Sequence, residues 1–157
     1  MDFGGRYLLA ATRTQVWAAL NDTGMLKAAI PGCRRLDWTG QSTLEMELQV
    51  NFGIIKPVFA GDLTLSGISP TDRYTLAGKG RGGFLGLAEG AADISLSDAG
   101  SGTELVFTAR GGASGKIMNL GGALIGNSAQ KVIDGFFERF AAAMGTEVTV
   151  LAPPVEF

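Results

Sequence analysis

A chain of 157 residues, 46% hydrophobic and 18% charged, is one domain's length with one core and neither a disordered nor a fibrous composition. Its formal net charge of -2 leaves no broad electropositive face for phosphates, so no nucleic-acid partner is expected. With no histidine and one cysteine, Cys33, the imidazole-dependent nucleophiles, the usual zinc sites and an internal disulfide are excluded, and no metal or cofactor is expected.

The N-terminus carries an early acid, Asp2, and no apolar h-region, so it does not read as a signal peptide. No run reaches the roughly 20 apolar residues a membrane span needs, and a cytoplasmic protein is expected. Phe3 to Ala11 reads as a first strand with Tyr7 and Leu9 on one face. Thr14 is the expected N-cap of a short helix ending at Leu20, and Met25 to Ala29 form a second turn broken by Ile30-Pro31-Gly32. Together they read as a bent helical plug under a sheet.

From Cys33 to Gly112 the pattern is a meander. Arg34 to Thr39 is short. In Ser42 to Phe52 the residues Leu44, Met46, Leu48, Val50 and Phe52 alternate with the polar Glu45, Glu47 and Gln49. Val58 to Ser66 repeats the pattern with Phe59, Leu63 and Leu65 inward. Tyr74 to Gly78, Gly86 to Ser97 and Thr103 to Arg110 follow, the last after a turn at Asp98 to Gly102. The sum is a solvated antiparallel sheet with one buried face.

The period then changes to that of a helix. Ser114 is the expected cap, and Ile117, Leu120, Leu124, Ser128, Val132, Phe136 and Phe140 recur at helical spacing as far as Met144-Gly145. Such a helix is roughly 28 residues, about 42 Å long. Pro153-Pro154 is expected to end regular structure in a tail, residues 146–157, outside a domain of residues 1–145. The fold class is α+β: a curved antiparallel sheet of six to seven strands wrapped around a long C-terminal helix, with two short helices after the first strand.

A straight rod against a twisted sheet is hard to close-pack without large side chains. Small residues stand where filling is needed: Gly78, Gly80, Gly86, Ala88, Gly90 and Ala92 on strands, with Gly121 and Ser128 on the helix. They can leave an apolar ligand cavity. Equally, the glycines can shape barrel bends while Phe and Met side chains fill the space.

Other motifs carry less. Gly78-Lys79-Gly80-Arg81-Gly82-Gly83 fits G-x-G-x-x-G spacing, but a strand rather than a helix is expected after it, so a glycine-rich hairpin is the better reading. Glu45, Glu47 and Asp93 read as outward charges; Glu89 is the acid with the best prospect of facing inward. Cys33 reads as a buried inert thiol. Of the adjacent Arg34 and Arg35, at most one can face a ligand or partner. Trp17, Trp38 and Tyr74 can border a pocket, though core packing is the commoner use of aromatics.

Several segments together resemble the carbon monoxide dehydrogenase G-subunit family, part of the START-like (SRPBCC) helix-grip superfamily. They are Val16-Trp17-Ala18-Ala19-Leu20-Asn21-Asp22, Ile30-Pro31-Gly32-Cys33, Phe59-Ala60-Gly61, Gly78-Lys79-Gly80, Gly90-Ala91-Ala92, Gly102-Thr103-Glu104-Leu105 and Gly115-Lys116-Ile117-Met118-Asn119-Leu120-Gly121. The resemblance covers about residues 1–140. It implies a helix-grip fold with an apolar cavity between sheet and helix. It also implies association with a molybdenum hydroxylase complex of the carbon monoxide dehydrogenase type, in assembly, membrane recruitment or quinone delivery. Some relatives carry a long tail ending in a membrane-binding segment; with this sequence ending at Phe157, at most peripheral membrane contact is expected.

The residues expected to contact an apolar small molecule are Trp17, Leu44, Met46, Leu48, Phe59, Leu63, Tyr74, Leu76, Ala92, Ile94, Phe107, Leu120, Leu124 and Ser128. The expected function is non-catalytic binding of a lipid or quinone-like molecule. The competing readings are a cyclase or dehydratase, which needs an inward Glu89, Tyr74 or Arg81, and an assembly chaperone that works through its surface without a ligand.

Overall fold

The computed structural model describes the backbone of residues 1–156 and the side chains of residues 1–151. Eight strands form one antiparallel sheet: β1 (Asp2–Leu9), β2 (Cys33–Trp38), β3 (Thr43–Gln49), β4 (Val58–Ser69), β5 (Arg73–Arg81), β6 (Leu87–Ala99), β7 (Gly102–Ser114) and β8 (Val148–Glu156). Their spatial order is β2-β3-β4-β5-β6-β7-β1-β8. Three helices accompany them: α1 (Arg13–Leu20), α2 (Thr23–Ala29) and α3 (Gly122–Ala143), the last gripped by the sheet.

The meander from β2 to β7 follows the period-2 alternation of the sequence, and the short pair α1 and α2 falls where helical turns are expected. Both helices start earlier than the sequence suggests. Thr12, not Thr14, caps α1 in a reciprocal box: its Oγ1 accepts from the Gln15 N–H at 3.2 Å, and Gln15 Oε1 accepts from the Thr12 N–H at 3.0 Å. Asp22 Oδ1 accepts from the Gly24 N–H at 2.9 Å and the Met25 N–H at 3.2 Å, so α2 starts at Thr23.

Two larger expectations are corrected. The C-terminal helix does not begin after Ser114. β7 continues to that residue, a 3-10 turn spans Lys116–Leu120, and α3 has 22 residues, about 33 Å. Gly115 and Gly121 adopt φ of 93° and 88°, a left-handed backbone that no α-helix can continue through. The segment after Gly145 is an added strand rather than an irregular tail. β8 pairs with β1, making eight strands instead of six or seven. An edge strand tolerates proline because only one of its sides is paired, and the register slips between Gly4 and Arg6, opposite Pro153-Pro154.

Large side chains concentrate at the end of the sheet nearest α1. Phe140, Leu9, Leu105 and Val16 are fully buried there, together with Tyr7, Tyr74, Leu96, Phe107 and Phe137. Fully burying each such aliphatic or Phe side chain contributes about 1.5–3 kcal/mol. A second, smaller cluster of Phe52, Phe59, Leu85 and Ile117 stands at the opposite end. Between the two, the inner faces of β5, β6 and β7 carry only glycine and alanine: Gly78, Gly80, Ala88, Gly90, Gly111 and Ala113.

Candidate functional site

Strand register explains the gap. One inward row runs Met46, Gly61, Gly80, Ala88, Ala113 across β3 to β7, and the next runs Leu44, Leu63, Gly78, Gly90, Gly111. The third row, Leu65, Leu76, Ala92, Ala109 and Phe3, is bulkier, and the fourth contains Tyr74, Ile94 and Phe107. Glycine in the first two rows lets neighbouring strands close up: a Cβ on Gly61 would collide with the Lys79 carbonyl, and one on Gly78 would sit 2.5 Å from Leu63 Cδ2. The sheet is therefore pinched and thinly furnished at one level.

A cavity of about 630 Å³ fills this level. Its sheet wall comprises Phe3, Met46, Leu48, Val50, Phe52, Phe59, Gly61, Leu63, Gly78, Gly80, Ala88, Gly90, Gly111, Gly112 and Ala113. Its helix wall is Ile125, Ser128, Ala129, Val132 and Ile133, spaced i, i+3, i+4, i+7 and i+8 along one face of α3. Ile117 and Met118 of the 3-10 turn and Met1 border one end, where both methionines are exposed. The size falls in the range of small-molecule sites.

The lining is overwhelmingly hydrocarbon. Ser128 is buried, and its hydroxyl donates to the Asn51 carbonyl at 3.3 Å, tying α3 to the β3–β4 connection. Lys79 and Glu89 touch the cavity from opposite positions on β5 and β6, but both are exposed and alternate to the outer face. A depression of the same volume on that outer face is walled by Asp62, Lys79, Glu89 and Arg110 over Ala77 and Ala91. It is a solvated charge surface.

Of the residues expected to contact a ligand, the structure brings Met46, Leu48, Phe59, Leu63 and Ser128 together around the cavity. The others lie outside its lining. Leu44 is buried one pleat beyond Met46. Tyr74 and Phe107 belong to the main core, with Leu76 and Ile94 packed against it, and Ala92 shares the bulky third row. Trp17 meets Tyr74 edge-on with ring centroids 5.5 Å apart. Leu120 packs on the smaller cluster and Leu124 is exposed.

Sequence reading missed Met1, Phe3, Gly61, Gly111 to Ala113 and, on the helix face that holds Ser128, the residues Ile125, Ala129, Val132 and Ile133 as cavity lining. The rest of the face was legible: Ile125, Ala129 and Ile133 lie one position after Leu124, Ser128 and Val132 and widen the stripe that those residues already mark.

The acid–base candidates disperse. Tyr74 sits in the core, where burial pushes its hydroxyl up to about 12, and Arg81 is exposed at the end of β5. Cys33 is half-buried with Sγ 3.5 Å from the Arg35 carbonyl, and burial pushes its thiol up, away from reactivity. Arg35 pairs with Glu45 at 2.6 Å, and with Asp37 and Glu47 at longer range, all on the outer face. After the glycine hairpin comes a single 3-10 turn, Gly83–Leu85, and then β6, so nothing there resembles a dinucleotide site.

A bent sheet gripping a C-terminal helix over an oily hollow defines a START-like helix-grip protein. A conserved protein from Geobacillus kaustophilus superposes with a TM-score of 0.84 at 24% identity, over 94% of this chain and 99% of that one. A protein from Chromobacterium violaceum gives 0.71 at 15% identity, over 91% and 96%. The Zhui aromatase/cyclase from a Streptomyces species gives 0.66 at 12% identity, over 92% and 93%. The family model of the carbon monoxide dehydrogenase G subunit (CoxG) matches residues 5–145, and the chain belongs to that family. No curated protein matches the sequence. Among the described residues no helix is long and apolar enough to cross a membrane.

Proposed function

We propose that this chain is a non-catalytic carrier that holds a lipid or quinone-like molecule between α3 and the sheet. It acts as an accessory protein to a molybdenum hydroxylase of the carbon monoxide dehydrogenase type, in assembly, recruitment or quinone delivery. One observation carries the reading: a cavity of about 630 Å³ lined by Leu, Ile, Met, Val and Phe side chains. Apolar walls facing empty space forfeit dispersion contacts, which an apolar guest restores along with the benefit of leaving water. Membership of the CoxG family supports the client enzyme.

A cyclase would share this fold, as the Streptomyces neighbour does. It would also need an acid or base beside the substrate, and Glu89, Tyr74 and Arg81 all direct their functional groups elsewhere. The carrier reading therefore has the better support.

The test is native mass spectrometry and organic extraction of protein purified from its own cells. An apolar compound in stoichiometric amount is the expected result. Its absence, together with failure to take up menaquinone or a fluorescent fatty acid, would end the carrier reading.

A further inference from the structure

β3 ends at Gln49 and β4 begins at Val58, and residues 50–57 between them belong to neither strand. Their hydrogen bonds close on themselves. The Val50 N–H donates to the Pro57 carbonyl at 2.9 Å, the Phe52 N–H to the Ile55 carbonyl at 3.0 Å and the Gly53 N–H to Asn51 Oδ1 at 2.8 Å. Gln49 Nε2 holds the base of the unit from β3, donating to the Lys56 carbonyl at 3.2 Å. Residues 50–57 are thus a folded piece hinged at two strand ends. Among the described residues, one hydrogen bond ties this piece to anything beyond its own hairpin: the Ser128 hydroxyl of α3 donates to the Asn51 carbonyl at 3.3 Å.

The neighbouring connections are fixed differently. A Cβ on Gly86 would collide with the Ser114 carbonyl and one on Gly115 would lie 3.0 Å from Gly86 Cα, so the β5–β6 and β7–α3 connections press together backbone to backbone. Gly53, by contrast, has open space where a Cβ would stand. What seats residues 50–57 is Phe52, buried against Phe59, Leu85 and Ile117 and lining the cavity together with Val50. Ser128 needs its own explanation. With Thr103 it is one of two buried polar side chains among the described residues, and it stands in a hydrocarbon wall where alanine would pack as well.

We infer that residues 50–57 are a lid on the cavity and that Ser128 is the latch holding it shut, which sets how fast a guest enters and leaves. Withdrawal of Phe52 with its folded unit opens the wall between the β3–β4 connection and α3. Little has to break for this to happen: the unit keeps its internal bonds and gives up the Phe52 contact and one hydrogen bond. At 3.3 Å that bond is longer than the usual O–H···O range, so it is a weak catch that can release. A guest that passes only when the lid is open has both its rate constants scaled by the opening equilibrium, while their ratio, the Kd, is unchanged. A serine that merely touched the guest would change the Kd instead. This regulation rests on the carrier reading proposed above, whereas movement of the lid is measurable with no guest present.

The experiment has two arms on the full chain. In the first, stopped-flow fluorescence follows uptake and release of a fluorescent fatty acid by wild type, Ser128→Ala and Ser128→Thr. Ser128→Ala should speed both steps at least about fivefold and leave the Kd within about twofold, and Ser128→Thr, which keeps the hydroxyl, should return to wild-type rates. In the second arm no guest is present. A thiol placed under Phe52 by Leu85→Cys, in a Cys33→Ser background, is labelled by a small thiol reagent; Ile117→Cys serves if Leu85→Cys does not fold. Adding Ser128→Ala should raise the labelling rate by a similar factor. Unchanged labelling overturns the lid, and so does a Kd that rises through faster release alone. Failure of every protein to take up the fatty acid counts against the carrier reading, and the labelling arm then decides the lid by itself.

Discussion

The rings of Tyr7 and Phe137 stack with centroids 3.8 Å apart and planes 16° apart, and within that stack the Tyr7 hydroxyl is buried with no hydrogen-bond partner. β1 thereby meets α3 through an aromatic contact at the cost of an orphaned polar atom. Phe107 flanks the pair, its centroid 6.1 Å from Tyr7 and 5.3 Å from Phe137.

Removing that hydroxyl should help the fold. Tyr7→Phe keeps the stack and deletes an unsatisfied buried group, so unfolding free energy should rise by about 1 kcal/mol. Urea denaturation measures it, and a loss of stability would show that the hydroxyl has a partner.

Alkaline pH should destabilise the protein through two tyrosines. Burial pushes both Tyr7 and Tyr74 up from 10.0 to about 12, with the Asp134 charge adding to the effect at Tyr7. Above pH 10 the unfolded chain releases phenolic protons that the folded chain keeps, so the folded state binds more protons and stability falls as pH rises. The contribution is whole below pH 10 and is lost progressively up to about pH 12. Denaturation series across this window should show that decline, and Tyr7→Phe should make it shallower.

Two glycines of one row should respond in opposite ways. A Cβ on Gly61 meets the Lys79 carbonyl, so Gly61→Ala should cost about 3 kcal/mol by forcing strands apart. A Cβ on Gly80 has its nearest neighbour, Phe59 Cβ, at an ordinary 3.6 Å. Gly80→Leu should fold and occupy the cavity, lowering uptake of an apolar probe by at least about tenfold. Calorimetry and probe titration separate the two effects; unchanged uptake by Gly80→Leu would place the ligand elsewhere.

Thr103 ties the start of β7 to the link before α1. It is fully buried, and its Oγ1 donates to the Ala11 carbonyl at 2.8 Å. Thr103→Val should cost about 2 kcal/mol by leaving that carbonyl unpaired, with Thr103→Ser recovering most of it. Thermal unfolding of the three proteins decides the point.

Much of the fold was written locally. Alternation in Leu44-Glu45-Met46-Glu47-Leu48 specified a half-buried strand, and the change to helical spacing after Ser114 announced the gripped helix, though not its start at Gly122. The absence of histidine by itself removed most hydrolytic and zinc chemistry. The break at Gly121 and the pairing of β8 were not legible, because a glycine's φ and a strand's partner are set by distant chain.

The candidate site divides along the same line. Residues Met46, Leu48, Phe59, Leu63 and Ser128 could be picked from periodicity because one period fixes which face a side chain takes. Periodicity does not fix depth: Tyr74, Leu76, Ile94 and Phe107 share the inward face with Gly78 and Gly90, yet they fill the core while the glycines leave room. Which level is empty depends on register, which aligns Gly61 with Gly80 and Gly78 with Gly90 and Gly111. Sequence thus determined the face of each strand and the class of fold. Only the pairing of strands across the sheet, a long-range choice made by packing the whole core at once, decided where the hollow lies.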